Sequence, residues 1–371
     1  MFGLTFLSAT SKTTTHRVVP FIIKRLLEAV AGYVAGGLDS GGYISGIDKI
    51  AFPADSKTTL SATLTSARAI LAGFANSGVA GYVAGGYNGS VNLSGIDKIT
   101  FPADTKTTLS ATLTNARRQL AGFANSSVAG YVAGGLDSGG NLSGIDKIAF
   151  SADTKTTLSA TLTSARYNLA GFANSGVAGY VAGGTDSANV SGIDKVSFPA
   201  DSKTTLSATL TTARENATAF ANSGTAGYVA GGYGGGNLSG IDKITFPADS
   251  KTTLSATLTT ARQSQAGYAN SGVAGYAAGG DGGGYLSGID KITFPADTKT
   301  TLSATLTTAR RTPAGFANSG VAGYVAGGSD SGGNISGIDK VSFPADSKTT
   351  LSATLTTARA YVTGFADSGT L

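Results

Sequence analysis

Short apolar runs alternate with turn chemistry along this chain at a period that strands use and helices do not. In residues 81–128, GYVAGGYNGSVNLSGIDKITFPADTKTTLSATLTNARRQLAGFANSSV, four such runs follow one another. In chain order they predict a strand b over Gly81–Ala84, c over Ile96–Phe101, d over about Thr107–Thr114 and a over about Leu120–Ala124. Gly85-Gly86 closes the first, allowing close backbone approach or positive φ. Between c and d, Pro102 and Asp104 supply turn chemistry, the Asp side chain being able to bond its own backbone. Ile96, Ile99, Phe101, Leu109 and Leu113 are the candidate core, while Thr107, Thr108, Ser110 and Thr112 suit an outer, partly wetted strand.

The same pattern recurs. AGY(V/A)AGG begins at Ala31, Ala80, Ala129, Ala178, Ala226, Ala274 and Ala322, at spacings of 48 or 49. Residues 31–371 are therefore one propeller domain of seven units, and residues 1–30 a leader or attachment arm. Four antiparallel strands per unit without helical periodicity predict an all-β, seven-bladed β-propeller. A lone blade has no partner for its two faces, so stability belongs to the closed circle. The first unit lacks an evident strand a, and the chain ends in a seventh copy, Thr363-Gly364-Phe365-Ala366. The C-terminal strand is expected to complete blade one, which removes the exposed edges of an open ring; leader residues Val18–Val30 are the other source of that strand.

The hydrophobic run ending in Gly-Gly, the GIDKITF strand with its Asp, and the Arg of LTNAR resemble the motif of kelch-repeat propellers, seven times over residues 31–371. The Trp usual in a kelch blade is absent, and Leu60, Leu109 and their equivalents stand near its place. The near-identity of the units also resembles repeat proteins of bacteriophage particles and cyanobacteria. These resemblances imply a rigid platform that engages partners through its loops.

Differences between units fall in two places. The b-to-c loops read LDSGGYI, YNGSVNL, LDSGGNL, TDSANV, YGGGNL, DGGGYL and SDSGGNI, and the three residues after the repeated Arg read AIL, RQL, YNL, ENA, QSQ, RTP and AYV. In a four-stranded antiparallel blade both connections emerge on one face. Tyr43, Tyr87, Asn88, Asn92, Arg118, Asn141, Tyr167, Tyr233, Gln263, Tyr285, Arg311 and Tyr361 are its candidate ligand-binding residues. Tyr, Asn and Arg are residue types of adaptable recognition surfaces, although exposed loops also drift freely.

Composition narrows the chemistry. There is no Cys or Trp, one His (His16, in the leader) and a net charge of +5 without a polybasic run, which argues against thiol and imidazole catalysis, a metal centre and nucleic-acid binding. Most acids recur seven times in equivalent surroundings, unlike the paired, differentiated carboxylates of a glycosidase. No cofactor is expected. Arg68, Arg117, Arg166, Arg214, Arg262, Arg310 and Arg359 form a ring read as structural, with Asp48, Asp97, Asp146, Asp194, Asp242, Asp290 and Asp339 as partners; an exposed ring could instead bind an anion. The leader has no basic start typical of a secretory signal, and FIIKRLLEAV is too short and charged to span a bilayer. The expected role is a non-enzymatic interaction platform on a virion or cell exterior, within a larger assembly. It would recognise a host glycan or partner protein through the loop face, or a protein through residues 1–30. A purely architectural virion component and a cellular adaptor for a peptide are the alternatives.

Overall fold

The structure is a computed structural model that describes residues 31–367. It contains seven four-stranded antiparallel sheets and one two-residue-per-strand hairpin, Ser329–Asp330 with Gly333–Asn334. Blade two shows the repeating pattern: strand a is Ala72–Asn76, b Ala80–Ala84, c Ile96–Thr100 and d Lys106–Thr108. Strand a lies innermost and d at the rim.

The C-terminal strand Thr363–Ala366 pairs with Ala31–Ala35 and completes blade one. Its register is that of the continuous blades, with Tyr33 opposite Phe365 as Tyr82 is opposite Phe74. The two ends of the ring thus close without a change of geometry. The leader, and with it the expected attachment arm or strand from Val18–Val30, lies outside the described residues.

Packing runs from blade to blade. Phe365 of blade one stacks on Tyr33, at 5.4 Å between ring centroids, and Tyr33 stacks at 4.9 Å on Phe101 of blade two. Phe365 also covers Gly81 of blade two so closely that a Cβ there would lie 2.0 Å from its ring. Any side chain at Gly81 would expel the aromatic ring. The same ring-on-glycine contact recurs around the circle and ends with Phe316 over Gly32. Burying each such aromatic stabilises the interface by about 1.5–3 kcal/mol, an amount available only when a neighbour is present.

Strand d differs from the sequence reading. It ends at Thr108 rather than near Thr114. Leu109 and Leu113 are buried as core residues but lie in an irregular segment. The cause is a competing partner: Thr114 gives its amide and hydroxyl to Asp146 of blade three, which draws the chain off the edge of its own sheet. The segment then keeps only spaced bonds to blade two, from Leu109 to Ile96, Leu113 to Ser94 and Arg117 to Leu93.

Candidate functional site

Both variable segments emerge on one side of the disk and are built over the ring of arginines. Arg68, on the connection from blade one to blade two, is 2% exposed. It donates to Asp97 of blade two at 2.8 Å and to the Gly95 carbonyl at 3.0 Å. The Thr65 amide and the hydroxyls of Thr65 and Thr108 complete the coordination of that carboxylate. Every blade repeats the pair, in Arg117–Asp146, Arg166–Asp194, Arg214–Asp242, Arg262–Asp290 and Arg310–Asp339, and Arg359–Asp48 ties the seventh blade to the first. Burial opposes the charged form of Asp48, but the Arg359 guanidinium and the Thr356 hydroxyl and amide outweigh it and hold the carboxyl below the usual range. Seven buried cations bonded inside the wall leave no open ring for a soluble anion.

Above the arginines, each connection is clasped to a b-to-c loop. Ala69 exchanges backbone hydrogen bonds with Tyr87, Arg118 with Leu136, Tyr167 with Thr185, Glu215 with Tyr233, Gln263 with Asp281 and Arg311 with Ser329. The backbone of this face is therefore regular even where its side chains are not. Tyr43 packs edge-on against Tyr87 at 5.6 Å, and the Arg118 guanidinium lies 4.4 Å over the Tyr87 ring. Across the disk, Arg311 pairs with Asp281 at 3.1 Å and lies 5.4 Å over Tyr285. Tyr233, clasped to Glu215, is exposed.

Three of the predicted amides serve the loops themselves or stand beside them. Asn88 accepts the amides of Ser90 and Val91 and so shapes its own turn. Asn141 donates to the Asp186 carbonyl of the neighbouring loop. Asn92 bridges to Tyr87, and its buried Oδ1 has no hydrogen-bond partner among the described residues.

The second residue after each arginine lies at the axis. Ile70, Gln119, Asn168, Asn216, Ser264, Thr312 and Tyr361 all adopt left-handed backbone, with φ between 51° and 58°. Their amides donate from blade to blade, Gln119 to Ile70, Asn168 to Gln119, Asn216 to Asn168, Ser264 to Asn216, Thr312 to Ser264 and Ile70 to Tyr361, at 2.8–3.2 Å. This backbone collar surrounds a cavity of about 420 Å3. Gln263 meets it from outside, its Oε1 accepting from Asn216 at 3.4 Å. Of these seven axial residues the sequence reading selected Tyr361 alone. The signal for the others was present as variation after the arginine, but nothing local marks a left-handed turn that contains no glycine.

The opposite face holds a second set of residues whose role the sequence did not disclose. Turn chemistry alone predicts that the Asp of each c-to-d turn bonds its own backbone. Instead Asp104 of blade two accepts the Tyr33 hydroxyl at 2.8 Å and the Lys49 ammonium at 2.7 Å, both from blade one. This clamp is present at all seven interfaces and closes with Tyr324 and Lys340 on Asp55. Its turn conformation, with φ near 57° at Asp104, points the carboxylate across the interface rather than back to its own chain.

The fold and its two decorated faces define a seven-bladed β-propeller. The solved "Structure of YjhT" is similar to it with a TM-score of 0.60, over 76% of this chain and 97% of that one, at 13% identity. At that identity the likeness concerns the fold alone. No family model matches the chain, and no curated protein matches it. Among the described residues, no helix is long and apolar enough to cross a membrane.

Proposed function

We propose that this chain is a non-enzymatic, kelch-like interaction platform that presents the face of the b-to-c and d-to-a connections to a host glycan or a partner protein, on a phage particle or a cell exterior. The observation that carries this reading is the axial collar. Seven consecutive blades hold a residue other than glycine in left-handed backbone, at a cost of about 1–2 kcal/mol for each of the five that are not Asn, which glycine would avoid. Two of the seven, Ile70 and Thr312, are β-branched, for which this conformation is least favourable. Retained strain of this kind points to side chains kept for what they touch. Free drift of exposed loops would instead favour the cheaper residue.

A glycan array probed with the purified chain tests the reading. Reproducible hits are expected that survive Val128→Ser on the constant face and disappear when Tyr87→Ala and Tyr361→Gly are combined on the variable face. A blank array points to an architectural role.

A further inference from the structure

The variable face has one feature that is not repeated sevenfold: the chemistry around the axial cavity is lopsided. One arc carries Gln119, Asn168, Asn216 and Ser264. Their side chains are already partly aligned, Gln119 donating to Asn168 at 2.8 Å and Asn168 to Glu215 at 2.7 Å. The facing arc carries Tyr361, 39% exposed, and Ile70, and Thr312, whose hydroxyl donates to the Arg311 carbonyl, stands between Tyr361 and Ser264. The next residues inward, which also line the cavity, are apolar in six blades; in the sixth blade the position is taken by Gln265. Gln265 is 8% exposed and donates to the Ala230 carbonyl at 2.9 Å, while its Oε1 has no partner among the described residues. A buried acceptor without a donor costs about 1–3 kcal/mol, which makes this residue the odd member of the collar.

Resting on the recognition reading above, we infer that the axial mouth is a single binding site per chain for the uncharged end of a saccharide, rather than one of seven equivalent shallow sites on the rim. The cavity is within the size range of small-ligand sites. Amide and hydroxyl groups on one arc match the alternating donors and acceptors of a polyol edge. The Tyr361 ring opposite offers a flat apolar surface to the C–H face of the same sugar. Among the described residues, Arg311, which also lines the cavity, is paired with Asp281, and the acid in contact with the arc, Glu215, accepts the Asn168 amide. A neutral ligand suits that balance, and a hydroxyl entering the collar supplies the donor that Gln265 Oε1 lacks.

The test uses the full chain titrated with the methyl glycosides of glucose, galactose, mannose and N-acetylglucosamine, up to about 20 mM, by saturation-transfer NMR and calorimetry. At least one sugar is expected to bind with one site per chain. Its affinity should fall about tenfold in Tyr361→Gly, where glycine keeps the left-handed backbone, and in Gln265→Leu, which installs the residue found at Leu71, Leu120 and Leu169. Val128→Ser on the constant face should leave it unchanged. Several sites per chain, or affinity that withstands both axial variants, overturns the single axial site. Array hits lost in Tyr87→Ala alone also overturn it while leaving recognition by the face intact. Silence from all four glycosides overturns the assignment to a saccharide end.

Discussion

Each face of the disk carries one set of seven equivalent non-glycine residues held in left-handed backbone, with Ser127 of a single a-to-b turn outside both sets, and the two sets obey different rules. On the constant face all seven are Asp, and each carboxylate clamps the Tyr and Lys of the preceding blade. On the variable face the seven are Ile, Gln, two Asn, Ser, Thr and Tyr, and no shared side-chain contact unites them. The same backbone conformation is therefore tied to one side chain on one side and to the backbone collar alone on the other. Where a costly conformation is kept with one side chain, the scaffold needs that side chain. Where it is kept with six different ones, the scaffold needs no one of them in particular.

The strongest way to break the comparison is to place glycine on the constant face. Asp104→Gly preserves the left-handed turn and removes the carboxylate, leaving the buried Tyr33 hydroxyl and the Lys49 ammonium without their acceptor. Hydrogen bonds to charged groups contribute about 1.5–3 kcal/mol, and relief of backbone strain returns part of that. A net loss of about 1–2 kcal/mol is expected in chemical denaturation. An unchanged midpoint would mean that the clamp is idle and that the faces do not differ.

A change of pH separates the faces without mutation. Burial pushes the clamp tyrosines, Tyr33 and its six equivalents, above their ordinary value of 10.0, and the hydrogen-bonded Asp adds to the shift. The folded ring keeps these hydroxyls protonated where the unfolded chain releases the proton. Their contribution is complete below pH 10 and declines as pH rises beyond it. On the arginine side, burial disfavours the charged forms of Asp48, Asp97, Asp146 and Asp194, but their Thr and Arg partners outweigh it and lower the pKa. That contribution is complete above the usual carboxylate range and declines as pH falls below it. Denaturation midpoints should hold between these limits and fall at both ends. Buried Tyr268 shares the alkaline limb, so Tyr33→Phe should flatten it by about one part in eight and leave the acid limb unmoved.

Architecture was legible in the sequence because it is written in repeats: seven copies of AGY(V/A)AGG count the blades, and the orphan copy at Thr363–Ala366 marks the closure. Interfaces were less so. The Asp104 clamp joins residues 71 and 55 positions apart, and a Pro-Ala-Asp turn already has a sufficient local explanation. The Leu and Thr alternation beyond Thr108 fits a longer strand d, whereas the pull of the next blade's Asp on Thr114 is a tertiary effect. The variable loops were visible as variation. Their convergence on one axis is a property of the ring and of no single repeat.

The smallest expected effect is the most discriminating. Ile70→Gly makes the same kind of change as Asp104→Gly, on the opposite face: a left-handed residue becomes glycine and its side chain is lost. Ile70 makes no side-chain hydrogen bond, and its amide and carbonyl belong to the axial collar, which glycine preserves. Relief of about 1–2 kcal/mol of left-handed strain is offset by the greater freedom that glycine gives the unfolded chain, about 0.5–1 kcal/mol, and by some lost apolar contact. The stability should therefore stay within about 0.5 kcal/mol of the parent, with the thermal midpoint level or slightly raised. A drop as large as that of Asp104→Gly would show that Ile70 supports the fold as the aspartates do, and the variable face would lose its claim to residues kept for an outside contact.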